Sequence, residues 1–246
     1  MPRVFHRRNS DRFGGPERLI LDQVLSPSDD VQHVVASFGH TDAPHPFLDR
    51  VRAADVETCL VPESSSYDPR TPGRLRAAVR QLAPDVVVGH DYKANWLSRV
   101  AAGRCTRVAI VHGYTAEGRK IRFFEAVDRR VLRGMDLVVV VSDALRDRLA
   151  ASGVSGARLQ VVPNGIDAET VRNAAAAARA ARRTAWGIPV DEDLICLALG
   201  RLSPEKGHDV LIDAFSRLDV PRVHLVLAGD GAARSDLERR AAALPM

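Results

Sequence analysis

Two cations stand five residues apart in Gly200-Arg201-Leu202-Ser203-Pro204-Glu205-Lys206-Gly207, a segment that follows an apolar run at 194–199 and opens a helical pattern. An arginine fork and a lysine point charge in a strand-end loop suit a diphosphate. Phe13-Gly14-Gly15-Pro16-Glu17-Arg18 occupies the same kind of place after the first apolar run. Glycines there let backbone N–H groups approach an anion where the helix dipole favours negative charge, and proline suits a first helical turn. The dinucleotide fingerprint Gly-x-Gly-x-x-Gly does not occur at this turn. Val111-His112-Gly113-Tyr114 closes another apolar run with a histidine. At the carboxyl end of a parallel strand such a side chain points into a ligand crevice and can orient or deprotonate a hydroxyl. His90-Asp91 ends a further run and is a similar candidate. Each also has a structural reading: a tight turn for the glycines, a packed ring for His112, a solvent-facing basic loop for Arg201 and Lys206.

These residues need strands to carry them. Short β-branched runs at 3–6, 31–37, 56–61, 85–89, 108–112, 137–141 and 159–162 alternate with helical patterns near 15–25, 72–83, 92–103, 118–133 and 142–152. Val86-Val87-Val88 and Val138-Val139-Val140-Val141 are continuously apolar, which marks strands buried on both faces of a parallel sheet. The alternation predicts βαβ units and a doubly wound α/β sheet, with ligands in the loops beyond the strands' carboxyl ends. Pro163-Asn164-Gly165-Ile166-Asp167 is concentrated turn chemistry. An alanine-rich helix at 170–186 follows, ended by Gly187 and Pro189. The rhythm then restarts with a strand at 194–199, a helix at 207–218, a strand at 223–228 and a helix at 232–243. The boundary falls near 163–168, giving a first domain over 1–165 and a second over 166–246. Two strands in the second leave sheet edges and apolar faces uncovered.

Composition excludes several classes. With 246 residues, 46% of them hydrophobic and 27% charged, the chain carries enough apolar surface to fold. A net charge of +4 and 5% aromatics are too little for a nucleic-acid partner. No segment reaches the roughly 18–20 apolar residues of a membrane span, and Met1-Pro2-Arg3-Val4-Phe5-His6-Arg7-Arg8 lacks a signal-peptide core. The expected location is the cytoplasm. Lys93, Lys120 and Lys206 are the only lysines, an arginine skew compatible with a phosphate-bearing partner or with a biased genome composition. Cys59, Cys105 and Cys196 are odd in number and far apart, so three reduced, buried thiols are expected. Asp191-Glu192-Asp193 precedes its strand and reads as a solvated turn, and Glu117 and Glu125 as surface charges. In 118–133, Ile121, Phe124, Val127 and Val131 share a face. Arg119, Lys120, Arg122, Arg129, Arg130 and Arg133 cover the rest, as in a core-packing helix or one resting on an anionic membrane surface.

Taken in order, these segments resemble the retaining glycosyltransferases of family 4. The likeness rests on Gly14-Gly15-Pro16-Glu17-Arg18, His90-Asp91-Tyr92-Lys93-Ala94, Val111-His112-Gly113, the strand 138–142, Val161-Val162-Pro163-Asn164-Gly165-Ile166-Asp167, the loop 200–207 and Ala228-Gly229-Asp230-Gly231. The resemblance implies a GT-B-like fold of two Rossmann-like domains, here a complete N-terminal acceptor-side domain and an incomplete C-terminal nucleotide-sugar donor-binding domain. It implies transfer of a sugar from a nucleotide-sugar to a glycan, lipid or small acceptor with retention of configuration, with no metal and no cofactor. Arg201 and Lys206 would neutralise the departing diphosphate, the Gly14 and Gly15 amides would approach it, and His112 would hold a donor or acceptor hydroxyl. Asn164, Gly165 and Asp167 would form the interdomain hinge, and His90, Lys93 and Tyr114 would lie on the acceptor side. Peripheral contact at the inner face of the membrane is compatible with a lipid acceptor. The family's donor domain continues further and carries a Glu-x7-Glu segment, whereas only Glu238 follows residue 206 as a glutamate here. A C-terminally truncated enzyme of weak or no activity is therefore implied. The competing readings are a non-catalytic acceptor- or membrane-surface-binding module and, third, a nucleotide-sugar epimerase.

Overall fold

The computed structural model describes residues 1–26, 30–114, 118–188 and 193–244. Its contacts divide the chain into two compact units, Met1–Ile166 and Asp167–Met246. The first unit is built on a seven-stranded parallel sheet. Its strands are β1 (Arg3–Arg7), β2 (Gln32–Gly39), β3 (Glu57–Pro62), β4 (Val86–Gly89), β5 (Thr106–Val111), β6 (Leu137–Val140) and β7 (Leu159–Val161), in the spatial order β3-β2-β1-β4-β5-β6-β7. The helices between them are α1 (Gly15–Leu25), α2 (Pro46–Arg52), α3 (Thr71–Leu82), α4 (Tyr92–Ala101), α5 (Gly118–Leu132) and α6 (Asp143–Ala151). Helices on both faces explain the continuous apolar runs. In β2, Val34, Ala36 and Phe38 pack with Leu75 and Val79 of α3 and Leu97 of α4, while Val35 packs with Ile20 of α1 and Phe47 of α2. Helix α2 falls in a stretch without a clear helical pattern. Pro46 opens it, and His45 caps it by accepting from the Leu48 amide through Nδ1 at 3.3 Å.

The second unit contains α7 (Ala168–Ala185), β8 (Leu194–Leu199), α8 (His208–Phe215), β9 (Val223–Ala228) and α9 (Arg234–Ala242). Strands β8 and β9 pair in parallel, with Leu194 opposite Val223 and Leu199 opposite Ala228. Leu202, Ile212 and Leu237 form a small core. Leu194, Leu197 and Leu199 remain exposed.

Helix α5 corrects two expectations. Its inward face carries Glu125, Asp128 and Leu132, all buried, whereas Phe123 is 64% exposed and Val127 is also exposed. Glu125 is therefore no surface charge; its carboxylate lies 3.9 Å from both Arg129 and Arg148. Asp128 accepts hydrogen bonds from Asn95 Nδ2 of α4 at 2.9 Å and from the Tyr114 hydroxyl at 2.8 Å. These bonds, unavailable to a valine, turn the Asp128 carboxylate inward. Glu117 and the Lys120 side chain lie outside the described residues. The thiols are free, as expected, but Cys59 and Cys105 are only half-buried and Cys196 is exposed on β8. Asp191 and Glu192 fall outside the described residues. Asp193 is a paired carboxylate rather than a solvated one, 2.9 Å from Arg222 and 2.6 Å from His224.

Helix α4 approaches β4 so closely that a methyl group at Gly89 would lie 2.3 Å from Asn95 Oδ1. Gly89→Ala should destabilise the chain by about 1–3 kcal/mol in urea unfolding. Gly15→Ala, whose methyl would meet nothing within 4 Å, should stay within ~0.5 kcal/mol. Burial pushes the Asp128 carboxyl up to about 6 against the opposing hydrogen bonds of Asn95 and Tyr114. The folded chain thus keeps a proton that the unfolded chain has lost, and stability falls as pH rises from about 4 to 6. Measured as the difference in unfolding free energy between wild type and Asp128→Asn, this slope should amount to roughly 3 kcal/mol across the window.

Candidate functional site

The connections from β1 and β4, neighbours in the sheet, leave in opposite directions, which makes their carboxyl ends the switch point where parallel sheets hold ligands. The Gly14–Gly15 turn lies there. Gly14 caps α1, and its amide donates to Glu17 Oε2 at 3.0 Å. That amide is engaged in the helix cap in this structure. The other Glu17 oxygen accepts from Arg8 Nε at 2.9 Å, and Arg8 Nη1 donates to the His90 carbonyl at 2.7 Å. Burial raises the Glu17 pKa, but the hydrogen bond and charge of Arg8 override it and hold the carboxyl below its ordinary value. One buried carboxylate therefore ties the glycine turn, the end of β1 and the end of β4 together.

His90 is buried at this junction, and its Nδ1 lies 3.4 Å from Nε2 of His112, with the rings stacked at 5.7 Å. Asp91 caps α4 by accepting from the Ala94 amide at 3.0 Å, and it also accepts from the Asn9 amide at 2.6 Å. Lys93 is paired with the buried Glu63 and lies 4.7 Å over the Phe38 ring. Tyr114 stacks on Tyr92 at 6.0 Å, and the guanidinium groups of Arg129 and Arg148 lie 5.8 and 5.4 Å from its ring centroid. Burial and the adjacent Asp128 push its hydroxyl pKa upward, so it stays a hydrogen-bond donor. His90, His112 and the glycine turn thus gather at one place, whereas Lys93 and Tyr114 belong to separate side-chain networks.

In the second unit the loop 200–207 is braced by the loop after β9. Gly200 N–H donates to the Ala228 carbonyl at 3.0 Å, Leu202 N–H to Asp230 at 2.9 Å and Ala233 N–H to Leu202 at 3.0 Å. A methyl at Gly229 would fall 1.8 Å from the Gly200 carbonyl oxygen, and one at Gly231 2.3 Å from that of Leu202. Both glycines are there because two backbones touch. Arg201 Nη2 donates to Glu205 Oε1 at 2.9 Å, and the Ser203 hydroxyl donates to the same oxygen. Lys206 is exposed and ends a short 3-10 turn, Pro204–Lys206, before Gly207 (φ +64°) caps α8. Asn164 and Gly165 are exposed, and Asp167 caps α7 by accepting from the amides of Glu169 and Thr170 at 3.1 and 3.0 Å.

Sequence reading missed Arg8, Asn95 and Asp128, and it missed His6 and His33, which the sheet aligns with His90 and His112. The only signal for the histidines is their parity along each strand, legible once the strands are paired. Among the described residues no group of three or more His, Cys, Asp or Glu side chains converges as metal ligands do, and no helix is long and apolar enough to cross a membrane.

Residues 13–170 match the family model Glycosyltransferase Family 4, and residues 180–246 match Glycosyl transferases group 1. A GDP-mannose-dependent alpha-(1-6)-phosphatidylinositol monomannoside mannosyltransferase of Mycobacterium tuberculosis is 30% identical over 159 residues, covering 59% of this chain and 40% of the relative. The corresponding dimannoside mannosyltransferase of the same species is 30% identical over 199 residues, covering 76% and 50%. The chain thus spans about half the length of these curated relatives or less. Anabaena Alr3699/HepE, solved in complex with UDP-glucose, shares the GT-B-like α/β fold with a TM-score of 0.78 at 20% identity, over 98% of this chain and 66% of that one. Since the first family match alone runs over more than half of its residues, the chain belongs to glycosyltransferase family 4.

Proposed function

We propose that this chain supplies the acceptor-side domain and the donor-phosphate loop of a retaining glycosyltransferase. That enzyme moves a sugar from a nucleoside-diphosphate donor to a lipid, glycan or small acceptor. The observation that carries the reading is the loop 200–207, which is pinned by backbone contact at Gly229 and Gly231 and presents Arg201 and Lys206 at a strand's carboxyl end. A bound diphosphate replaces Glu205 as the partner of Arg201. As the bond from sugar to phosphate breaks, charge grows on the leaving oxygen, and the fixed cations stabilise it without a metal or cofactor. The space beside Gly15 admits the donor, and His112 meets a hydroxyl of the sugar or acceptor. Asn164, Gly165 and Asp167 supply the hinge between the two units. The family match supports this reading, as do relatives described as GDP-mannose-dependent and a structural neighbour holding UDP-glucose.

A second observation favours contact with an anionic membrane surface, on which a lipid acceptor is met. Trp96, Val127, Arg99, Arg130 and Arg133 line an open groove between α4 and α5, and Phe123 stands exposed nearby. Aromatic and aliphatic groups flanked by arginines suit a headgroup layer.

GDP-mannose and UDP-glucose are the probes. Calorimetric titration of the chain should show binding of at least one, weakened about tenfold or more by Arg201→Ala and by Lys206→Ala, the loss expected for a charge-assisted hydrogen bond. Undiminished binding by both variants overturns the clamp. With acceptor supplied, NMR of the product anomeric centre tests retention. Flotation with phosphatidylglycerol vesicles should fall when Arg130 and Arg133 are replaced together by serine; unchanged flotation overturns the membrane reading.

A further inference from the structure

Four histidines far apart in sequence form one continuous line across the sheet. His33 Nδ1 lies 3.0 Å from His6 Nε2, His6 Nδ1 lies 3.1 Å from His90 Nε2, and His90 Nδ1 lies 3.4 Å from His112 Nε2. Successive ring centroids are 5.2, 5.4 and 5.7 Å apart. The register explains the line. Val4 pairs with His33 and His6 with Val35, His6 also pairs with Val88, and Val88 pairs with Val108. Each histidine therefore stands two residues further in the strand direction than the one before, His90 and His112 one residue past the ends of β4 and β5. Residues two apart share a face, so all four rings lie on one face and climb diagonally to the carboxyl ends at the candidate site.

The polarity of the links restricts what the row can do. A neutral imidazole donates from one nitrogen and accepts at the other. Every link joins the Nδ1 of one ring to the Nε2 of the next. If the three links are made by neutral rings, all four carry their proton on Nδ1 or all four carry it on Nε2. The two interior rings, His6 and His90, are buried. Burial first, then the neighbouring rings and the charges of Arg7 and Arg8, hold the two interior rings neutral, His6 with its pKa lowered to about 3. His33 is lowered by burial. His112 is lowered by burial and Arg8 against Glu17 and Asp91. His112 Nδ1 is buried with no hydrogen-bond partner among the described residues, and His33 is only half-buried.

We propose that His33, His6 and His90 are positioning residues of a proton relay that ends at His112 Nδ1. This rests on the reading of His112 as the group that meets a hydroxyl. Starting from the Nε2–H form, Nδ1 of His112 takes the acceptor hydroxyl's proton. The Nε2 proton of His112 then passes to His90 Nδ1, that of His90 to His6 Nδ1 and that of His6 to His33 Nδ1. His33 Nε2–H releases one proton to solvent, and every ring ends neutral in the Nδ1–H form. The reverse run takes a proton from solvent at His33 Nε2 and delivers one from His112 Nδ1 to a basic oxygen bound there, restoring the row.

The test is 15N NMR of the full chain labelled with 15N-histidine at pH 7 to 8, where ring nitrogen shifts report tautomers directly. The four rings should be neutral and share one tautomer or exchange together. His33→Leu should change the tautomer ratio of His112, three rings away, by a factor of about 2 to 10, the worth of one hydrogen bond. His33→Asn, whose amide reaches the position of Nδ1, should restore it. Opposite tautomers in adjacent rings, a charged ring at pH 7, or a His112 spectrum indifferent to His33→Leu overturns the relay. The wild-type spectrum decides this even if a variant does not fold. Transferase activity unaffected by His112→Phe, with the tautomers still coupled, overturns the role of His112 and leaves the row intact.

Discussion

The ion pair between Arg8 and Glu17 is the constraint on which the first unit's site depends. Glu17 is buried, and its two oxygens serve different masters, one the Gly14 amide that starts α1, the other Arg8 at the end of β1. Arg8 in turn holds the His90 carbonyl beyond β4. Two strand ends and one helix start thus meet at a single carboxylate, at the point in the sheet where crossovers diverge. Losing one member of such a pair strands a charge in a poorly hydrated place, a penalty of about 3–5 kcal/mol. The pair therefore fixes where the glycine turn and the histidines stand relative to each other. It does so through one side chain that sequence reading had credited only to the motif around it.

The second unit reaches order at its candidate site by a different route. Around the loop 200–207 backbone lies directly on backbone, and Gly229 and Gly231 are the residues that permit it. The cations on that loop remain near solvent, with Arg201 held by Glu205. A rigid main chain thus supplies position, and a carboxylate partner orients the arginine.

Much of this was legible from the sequence because it is local. A strand followed by a glycine turn and a helix is written within about fifteen consecutive residues, and the motifs at 14–18, 90–94, 111–113 and 200–207 all fall in such turns. Helix α2 escaped because its seven residues lie in a stretch rich in proline and histidine, and it depends on a histidine cap. The inward face of α5 escaped for a different reason. Hydrophobic periodicity places apolar residues inside, but Asp128 is drawn in by Asn95 and the Tyr114 hydroxyl, partners 33 and 14 residues away.

The sequence by itself therefore determined the α/β rhythm, the strand-end loops that carry the motifs and, through their order, the family. Only the tertiary structure decided which distant side chains meet. His90 and His112 stand out in the sequence by their place at strand ends, whereas nothing local marks His6 and His33 or joins the four. A strand's side chains alternate between faces, so a slip of one residue in any pairing would send a ring to the opposite face and break the row. Register is set jointly by neighbouring strands and by the helices packed on them, and no single segment encodes it.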